Sequence, residues 1–200
     1  RNAGTIGGNI ANGSPIGDTP PALIVLGAEL LLRQGDGTRS MALEDYFVEY
    51  GGQDRGPGEF VTGIDVPRLA ADEAFRCYKI TKRFDQDISA VLGAFKFTIA
   101  DGRIMDARVA FGGMAATPKR GAATEAALIG LALSDEDAWA AARDALAEDY
   151  APIDDMRASA VYRLQTAQAL LIKALHEVGG RDSAAMRVIG VRHGEAAHAP

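Results

Sequence analysis

The sequence predicts an α+β fold, in which a mixed N-terminal part is followed by an antiparallel sheet covered by helices on one face. Up to residue 111, short apolar segments of strand length alternate with Gly-containing turns. Beyond residue 120, longer segments rich in Ala and Leu carry apolar residues at helical spacing. We place the domain boundary at Arg68 to Glu73. The predicted domains are therefore residues 1–67 and 74–178, and residues 179–200 are expected to form a mobile tail.

In the N-terminal part, Pro20-Pro21 is typical of a helix start, because proline is tolerated in the first turn, and Gly27 is the expected stop. Glu29–Arg33 is apolar enough for a buried strand, and the Gly35–Gly37 turn predicts a hairpin with a return strand. The remaining predictions here are a return strand over 39–43, a helix over 43–47, a loop over 50–58 and a strand over 59–67 that ends at a proline.

The C-terminal part predicts a sheet followed by three helices. Strands are expected over 75–82 and 88–99, and Ala100–Arg103 is a hairpin signal that leads to a return strand over 104–111. The helices are expected over 124–133, 135–146 and 157–178, and Ser134 is the predicted N-cap of the second. The apolar face predicted for the last helix consists of Val161, Leu164, Ala167, Leu171 and Leu175.

Composition restricts the classes of function. A net charge of −6 argues against a nucleic-acid surface, and no apolar run approaches the roughly 18 residues of a membrane span. The single cysteine, Cys77, cannot ligate an Fe–S cluster by itself, and the three histidines do not have zinc-site spacing. We expect a cytoplasmic protein without a metal site of its own, in which Cys77 is a small buried strand residue.

The first eighteen residues predict a phosphate-binding loop. Gly4, Gly7 and Gly8 leave backbone N–H groups accessible to a phosphate, although the spacing matches neither the dinucleotide fingerprint nor the P-loop. No Lys or Arg lies between Ala3 and Asp18, so an anion here would be neutralised mainly by backbone dipoles. That suits a bound pyrophosphate better than a reacting phosphoryl group. The alternative is a surface turn rich in Gly and Asn.

The combined string GTIGGNIANGSPIGDTPPAL resembles the second flavin-binding segment of the FAD domain in molybdenum hydroxylases, the xanthine dehydrogenase family. Residues 75–89, FRCYKITKRFDQDIS, resemble the strand and loop beside the flavin, and FGGMA followed by PKR (residues 111–120) resembles the flavoprotein C-terminal domain. The resemblance runs in one order from Arg1 to about Gly180 and favours the small subunit of bacterial xanthine dehydrogenases. It implies the C-terminal half of a PCMH-type FAD-binding domain, followed by the sheet and helices.

The resemblance implies that FAD is the cofactor and that nine residues contact it, whereas it assigns no catalytic residue and no metal ligand to this chain. Residues 5–9 match the pyrophosphate loop, and Asp18 matches a polar contact to the nucleotide. Asp18 is also a candidate N-cap for the following helix, and the two roles are compatible. The implied cofactor-binding residues are Thr5, Ile6, Gly7, Gly8, Asn9, Ser14, Asp18, Val61 and Lys79.

Val61 and Lys79 each have a competing structural interpretation. Val61 matches a position whose backbone meets the flavin edge, but from the residues alone it is a buried strand residue. Lys79 matches a flavin contact, and a cation there would stabilise the negative charge that develops on reduction. The alternative for Lys79 is a solvent-facing lysine in ordinary strand alternation. The neighbouring charged loop, residues 82–87, is either flavin-adjacent or an ordinary solvated turn.

By this resemblance the chain is a fragment that begins within a motif. Its expected partners are an N-terminal half with Fe–S centres and the first FAD loop, and a molybdenum-binding subunit. Electrons would pass from the molybdenum and Fe–S centres through FAD to NAD. The alternatives are an FAD subunit of a carbon monoxide or aldehyde oxidoreductase, and a structural docking module that binds no flavin alone.

Overall fold

A short helix, α1 (Ile6–Asn12), comes first in the computed structural model, which describes residues 4–180. The Thr5 side chain accepts a hydrogen bond from the Gly8 N–H at 3.0 Å, and Gly13 ends the helix in the left-handed conformation with φ of 61°. The phosphate-binding loop predicted at residues 5–9 is therefore the capped first turn of a helix, and the prediction of a loop backbone there is wrong. Caps at both ends and the burial of Ile10 outweigh the poor helix propensity of the two glycines.

The rest of the N-terminal part is a small sheet with helices. Helix α2 (Thr19–Val25) starts with the two prolines, as predicted. The elements that follow are β1 (Glu29–Gln34), β2 (Gly37–Ala42), α3 (Leu43–Tyr46), β3 (Phe47–Glu49), β4 (Gly52–Gln53) and β5 (Phe60–Asp65). Strands β2, β1 and β5 form an antiparallel sheet in that order, and β3 pairs with β4, which lies inside the segment predicted to be a loop. The hairpin between β1 and β2 confirms the predicted turn.

The second sheet has the order β6-β7-β8-β9 and is antiparallel throughout. Its strands are β6 (Glu73–Ile80), β7 (Val91–Ala100), β8 (Arg103–Gly112) and β9 (Lys119–Arg120). The predicted hairpin is confirmed, with Asp101 and Gly102 both at positive φ. Strand β7 begins three residues later than predicted from Ile88, because the Asp87 carboxylate accepts the Ile88 N–H and holds the chain in the preceding loop.

Three helices follow: α4 (Ala122–Leu128), α5 (Trp139–Asp149) and α6 (Ala160–Val178). Helix α4 stops before the predicted Leu133, because backbone hydrogen bonds from Gly130 to Ile104 and from Ile104 to Leu131 fix the chain along β8. Ser134 is not a cap, since α5 starts at Trp139. The capping serine is Ser159, whose side chain accepts the Tyr162 N–H at 3.2 Å.

Helices cover both faces of the second sheet, rather than the one face predicted. On one face, Phe95 and Phe111 pack against the three C-terminal helices, with buried Trp139 and Leu171 in the same core. On the other face, small residues at the corresponding positions let α2 approach closely: a Cβ on Gly112 would lie 3.2 Å from Pro21. The sheet is therefore packed against the N-terminal part as well as its own helices.

Helix α6 attaches to the edge strand β6 through a buried carboxylate. Glu177 Oε2 accepts a hydrogen bond from Arg76 Nε at 2.9 Å, and Oε1 forms an ion pair with Lys173 Nζ at 2.8 Å. Burial raises the pKa of Glu177, but hydrogen bonds from Lys173, Tyr78 and Arg76 outweigh it, so the net pKa is below its ordinary value. The prediction that Val161 belongs to the buried apolar face of α6 is wrong, because its side chain is 65% exposed.

Candidate functional site

Asp18 joins the two parts of the chain. It lies at the start of α2, but its side chain makes no capping hydrogen bond, so the N-cap interpretation is wrong with respect to the side chain. Instead, Oδ2 accepts from Lys79 Nζ on β6 at 2.5 Å. Oδ1 accepts from Ser89 Oγ, also at 2.5 Å. Two residues that the sequence singled out separately are therefore in direct contact.

Lys79 is paired and still accessible. Its side chain is 41% exposed and that of Asp18 is 37% exposed, so a ligand can reach both charges. Lys79 is thus solvent-facing, as the alternative interpretation has it, and it also forms an ion pair with Asp18. Lys79 also lines an open cavity of about 640 Å³ together with Thr81 and the loop residues 84–88.

The charged loop closes on itself through Asp87. The Asp87 carboxylate accepts the Arg83 N–H at 2.8 Å and the Arg83 guanidinium at 3.2 Å. The backbone hydrogen bond from Arg83 is the main cause that holds the pKa of Asp87 below its ordinary value. Phe84 at the loop tip is 89% exposed, which places a large aromatic side chain at the rim of the cavity.

Helix α1 lies against β5. A Cβ on Gly7 would be 4.0 Å from Val61, which is half-buried rather than fully buried. A Cβ on Gly8 would come within 2.8 Å of the Thr5 hydroxyl, so Gly8 protects the helix cap. Asn9 accepts a hydrogen bond from Thr19, the residue after Asp18. Through Thr19, Asn9 links α1 to the start of α2, where Asp18 lies.

Ser14 lies away from the Asp18–Lys79 pair. Its hydroxyl accepts the Ile16 N–H at 3.4 Å within a local turn. It lines a different cavity, of about 260 Å³, together with Arg163 from α6. The two cavities share no lining residue.

The prediction that Cys77 is buried in its strand is wrong, because the residue is exposed. Desolvation by its neighbours, with a smaller contribution from Asp18, raises the pKa of the thiol, which disfavours the reactive thiolate. Within residues 4–180, no cluster of three or more His, Cys, Asp or Glu could hold a metal ion. In the same range, no helix is both long and apolar enough to cross a membrane.

Sequence reasoning missed Ser89. It is 1% exposed, and its only distinguishing feature is the partner that folding gives it, Asp18, which is 71 residues away. The sequence shows Ser89 only as a polar residue directly before an apolar strand. That position does not predict a contact with Asp18.

Two protein families match this chain, one for each part. The FAD binding domain in molybdopterin dehydrogenase matches residues 1–69, and the CO dehydrogenase flavoprotein C-terminal domain matches residues 76–178. The glyceraldehyde dehydrogenase medium chain of Sulfolobus acidocaldarius is 34% identical over 89% of this chain. The carbon monoxide dehydrogenase medium chain of Afipia carboxidovorans is 34% identical over 90% of it. This chain spans 62% of the length of each of these relatives.

The solved structures agree. The reconstituted CO dehydrogenase from Oligotropha carboxidovorans superposes with a TM-score of 0.83 at 30% identity, covering 90% of this chain and 63% of that chain. The chain therefore belongs to the CO dehydrogenase flavoprotein C-terminal domain family, and its residues 1–69 belong to the FAD binding domain of molybdopterin dehydrogenases. FAD is the cofactor of that preceding domain. The molybdenum hydroxylase prediction is confirmed at this level, whereas the similarities extend across several such enzymes and do not single out xanthine dehydrogenases.

Proposed function

We propose that this chain forms part of the FAD site of a molybdenum hydroxylase, in which FAD carries electrons from Fe–S and molybdenum centres, held elsewhere, to NAD. The observation that carries the proposal is the accessible Asp18–Lys79 pair, which lies where residues of the two matched domains meet. FAD, when bound, supplies one- and two-electron transfer. We further propose that the assembly is cytoplasmic and includes a molybdenum-binding subunit and an Fe–S segment.

The residues present fit a dinucleotide flavin. Asp18 supplies a hydrogen-bond acceptor and Lys79 a cation, and the partial exposure of both leaves them able to exchange their mutual contact for one to the cofactor. In this assignment Lys79 stabilises negative charge on the reduced flavin, and Val61 gives an apolar edge beside α1.

Fewer backbone N–H groups of α1 are available to a phosphate than the sequence predicts. The Gly8 N–H already donates to Thr5, and the Asn9 N–H donates to the Thr5 carbonyl. A pyrophosphate here would contact the remaining N–H groups of the first turn, or would displace the Thr5 cap. We propose that Gly7 and Gly8 serve this site mainly by keeping side chains away from it.

We propose no single substrate, because the relatives are named for several different ones. Relatives include enzymes named for glyceraldehyde, carbon monoxide, nicotine and xanthine, the last from chicken at 30% identity over 58% of this chain. Xanthine oxidation with NAD as acceptor is one member of this range. The assigned residues contact the cofactor and not the substrate, so a change of substrate would leave them in place.

The second candidate function is a docking module that binds no flavin alone. An unpaired edge of β5 favours it, because within residues 4–180 only β1 pairs with this strand. Phe60 on the same strand is 53% exposed. A free strand edge with an exposed aromatic residue invites pairing with another segment.

Titration with FAD tests both functions. We expect the 200-residue chain alone to bind FAD with an affinity weaker than micromolar, equivalent to less than about 8 kcal/mol, because a dinucleotide is held along its length. Adding a segment that contains the first Gly-rich FAD loop should raise the affinity at least tenfold and perturb the flavin absorbance. Stoichiometric tight binding by the chain alone would refute the need for a second segment. Absence of a flavin signal in the assembly would favour docking.

A further inference from the structure

We infer that Ser89 is a positioning residue for the cofactor site: its buried hydroxyl holds the Asp18 carboxylate in the orientation that presents Lys79. The inference rests on the proposed function, because it deepens the role of Asp18 and Lys79 at the same site. It assigns no direct cofactor contact to Ser89.

Of Ser89, Asp18 and Lys79, Ser89 is the residue that burial holds in place. Ser89 is 1% exposed, whereas Asp18 and Lys79 are each more than a third exposed. The serine hydroxyl has one proton and donates it to Asp18 Oδ1 at 2.5 Å. The other oxygen, Oδ2, then faces Lys79 Nζ at 2.5 Å. An exposed ion pair alone is weakly ordered, and a buried hydrogen bond to one of its members restricts its rotamers.

Ser89 also connects the pair to the rim of the cavity. It follows the loop whose residues 84–88 line the cavity beside Lys79. The next residue, Ala90, donates its N–H to the Ile80 carbonyl at 2.8 Å, which ties the end of the loop to the end of β6. The hydroxyl therefore fixes Asp18 relative to a part of the backbone that is itself attached to the lysine-bearing strand.

The test measures FAD dissociation constants in the assembled, FAD-loaded holoprotein. Ser89→Ala should raise the dissociation constant roughly five- to tenfold, less than the full loss of one hydrogen bond to a charged group, because Ser89 acts on FAD only through Asp18. Ser89→Thr should restore it. In an Asp18→Ala background, Ser89→Ala should add less than about a twofold effect, because residues that act as a unit are not additive. A merely structural role would give the same effect in both backgrounds.

Ser159→Ala is the matched control. It removes a serine side-chain hydrogen bond of a different kind, the cap of α6, and should lower stability without changing FAD affinity. If Ser89→Ala folds poorly, Ser89→Cys keeps the volume with a weaker donor and should give an intermediate dissociation constant.

Three outcomes overturn the inference. Unchanged affinity in a well-folded Ser89→Ala protein, while Asp18→Ala still weakens binding, overturns the role of Ser89 and leaves the proposed function intact. Full additivity of Ser89→Ala with Asp18→Ala shows that Ser89 acts independently of Asp18. Unchanged affinity in both Asp18→Ala and Lys79→Ala overturns the proposed cofactor site and, with it, the positioning role.

Discussion

Replacing Lys79 by Ala should lower the reduction potential of the bound flavin, because reduction adds negative charge that a nearby cation stabilises. Two unit charges about 4 Å apart interact by roughly 4 kcal/mol at an effective dielectric of 20, which is an upper limit. The Asp18 carboxylate, 2.5 Å from the ammonium, opposes this field. Because both side chains are more than a third exposed, solvent screening reduces the net effect to about 1 kcal/mol or less.

For a two-electron couple, about 1.4 kcal/mol corresponds to 30 mV, so the expected shift is on the order of 20 mV towards lower potential. Spectroelectrochemical titration of the FAD-loaded assembly measures it, with flavin content and thermal melting recorded for each variant. The matched variant is Asp18→Asn, which removes the opposing charge and should shift the potential in the other direction. Shifts of the same sign in both variants, or an unchanged potential at full FAD occupancy, would refute the electrostatic reasoning.

Three further predictions concern the helix cap, the core and acid stability. Gly8→Val should strip FAD from the assembly without unfolding the C-terminal part, since its Cβ would clash with Thr5; full flavin occupancy by absorbance would contradict this. Leu171→Ala should cost about 2–5 kcal/mol in chemical denaturation, whereas Val161→Ala should stay within about 0.5 kcal/mol. Because the pKa of Glu177 is depressed, its contribution is present above about pH 4.3 and is lost on acidification; Glu177→Gln should show a shallower acid loss of melting temperature.

The strands of the C-terminal part could be predicted closely because turn chemistry and apolar pattern agree there. Asp101-Gly102 lies at the hairpin where the sequence indicates one, and the flanking apolar runs become β7 and β8. The helix boundaries were less predictable, because long-range contacts decide them. Helix α4 ends where Gly130 and Leu131 exchange backbone hydrogen bonds with Ile104, a partner that local propensity does not contain.

The prediction for the α1 region was wrong for a different reason. Three glycines in the first eight residues favour a loop on propensity alone. The Thr5 side-chain cap, the Gly13 C-cap and the burial of Ile10 together reverse that preference. The capping threonine was visible in the sequence but was assigned to phosphate binding, which shows that one short polar residue can satisfy either interpretation.

The packing of α2 on the second sheet is what creates the candidate site. Ala94 and Ala110 are buried on the face that meets the N-terminal core, and their small side chains allow a close approach of the helix. The Arg108 guanidinium donates to the Ile24 carbonyl at 2.8 Å and fixes the C-terminal end of α2 on β8. With that end fixed, the start of the helix places Asp18 within reach of β6 and of the loop that precedes β7. The small side chains of Ala94 and Ala110 thus allow α2 to pack where Asp18 can contact Lys79. The contact between Asp18 and Lys79 depends on the second sheet as much as on the Gly-rich segment.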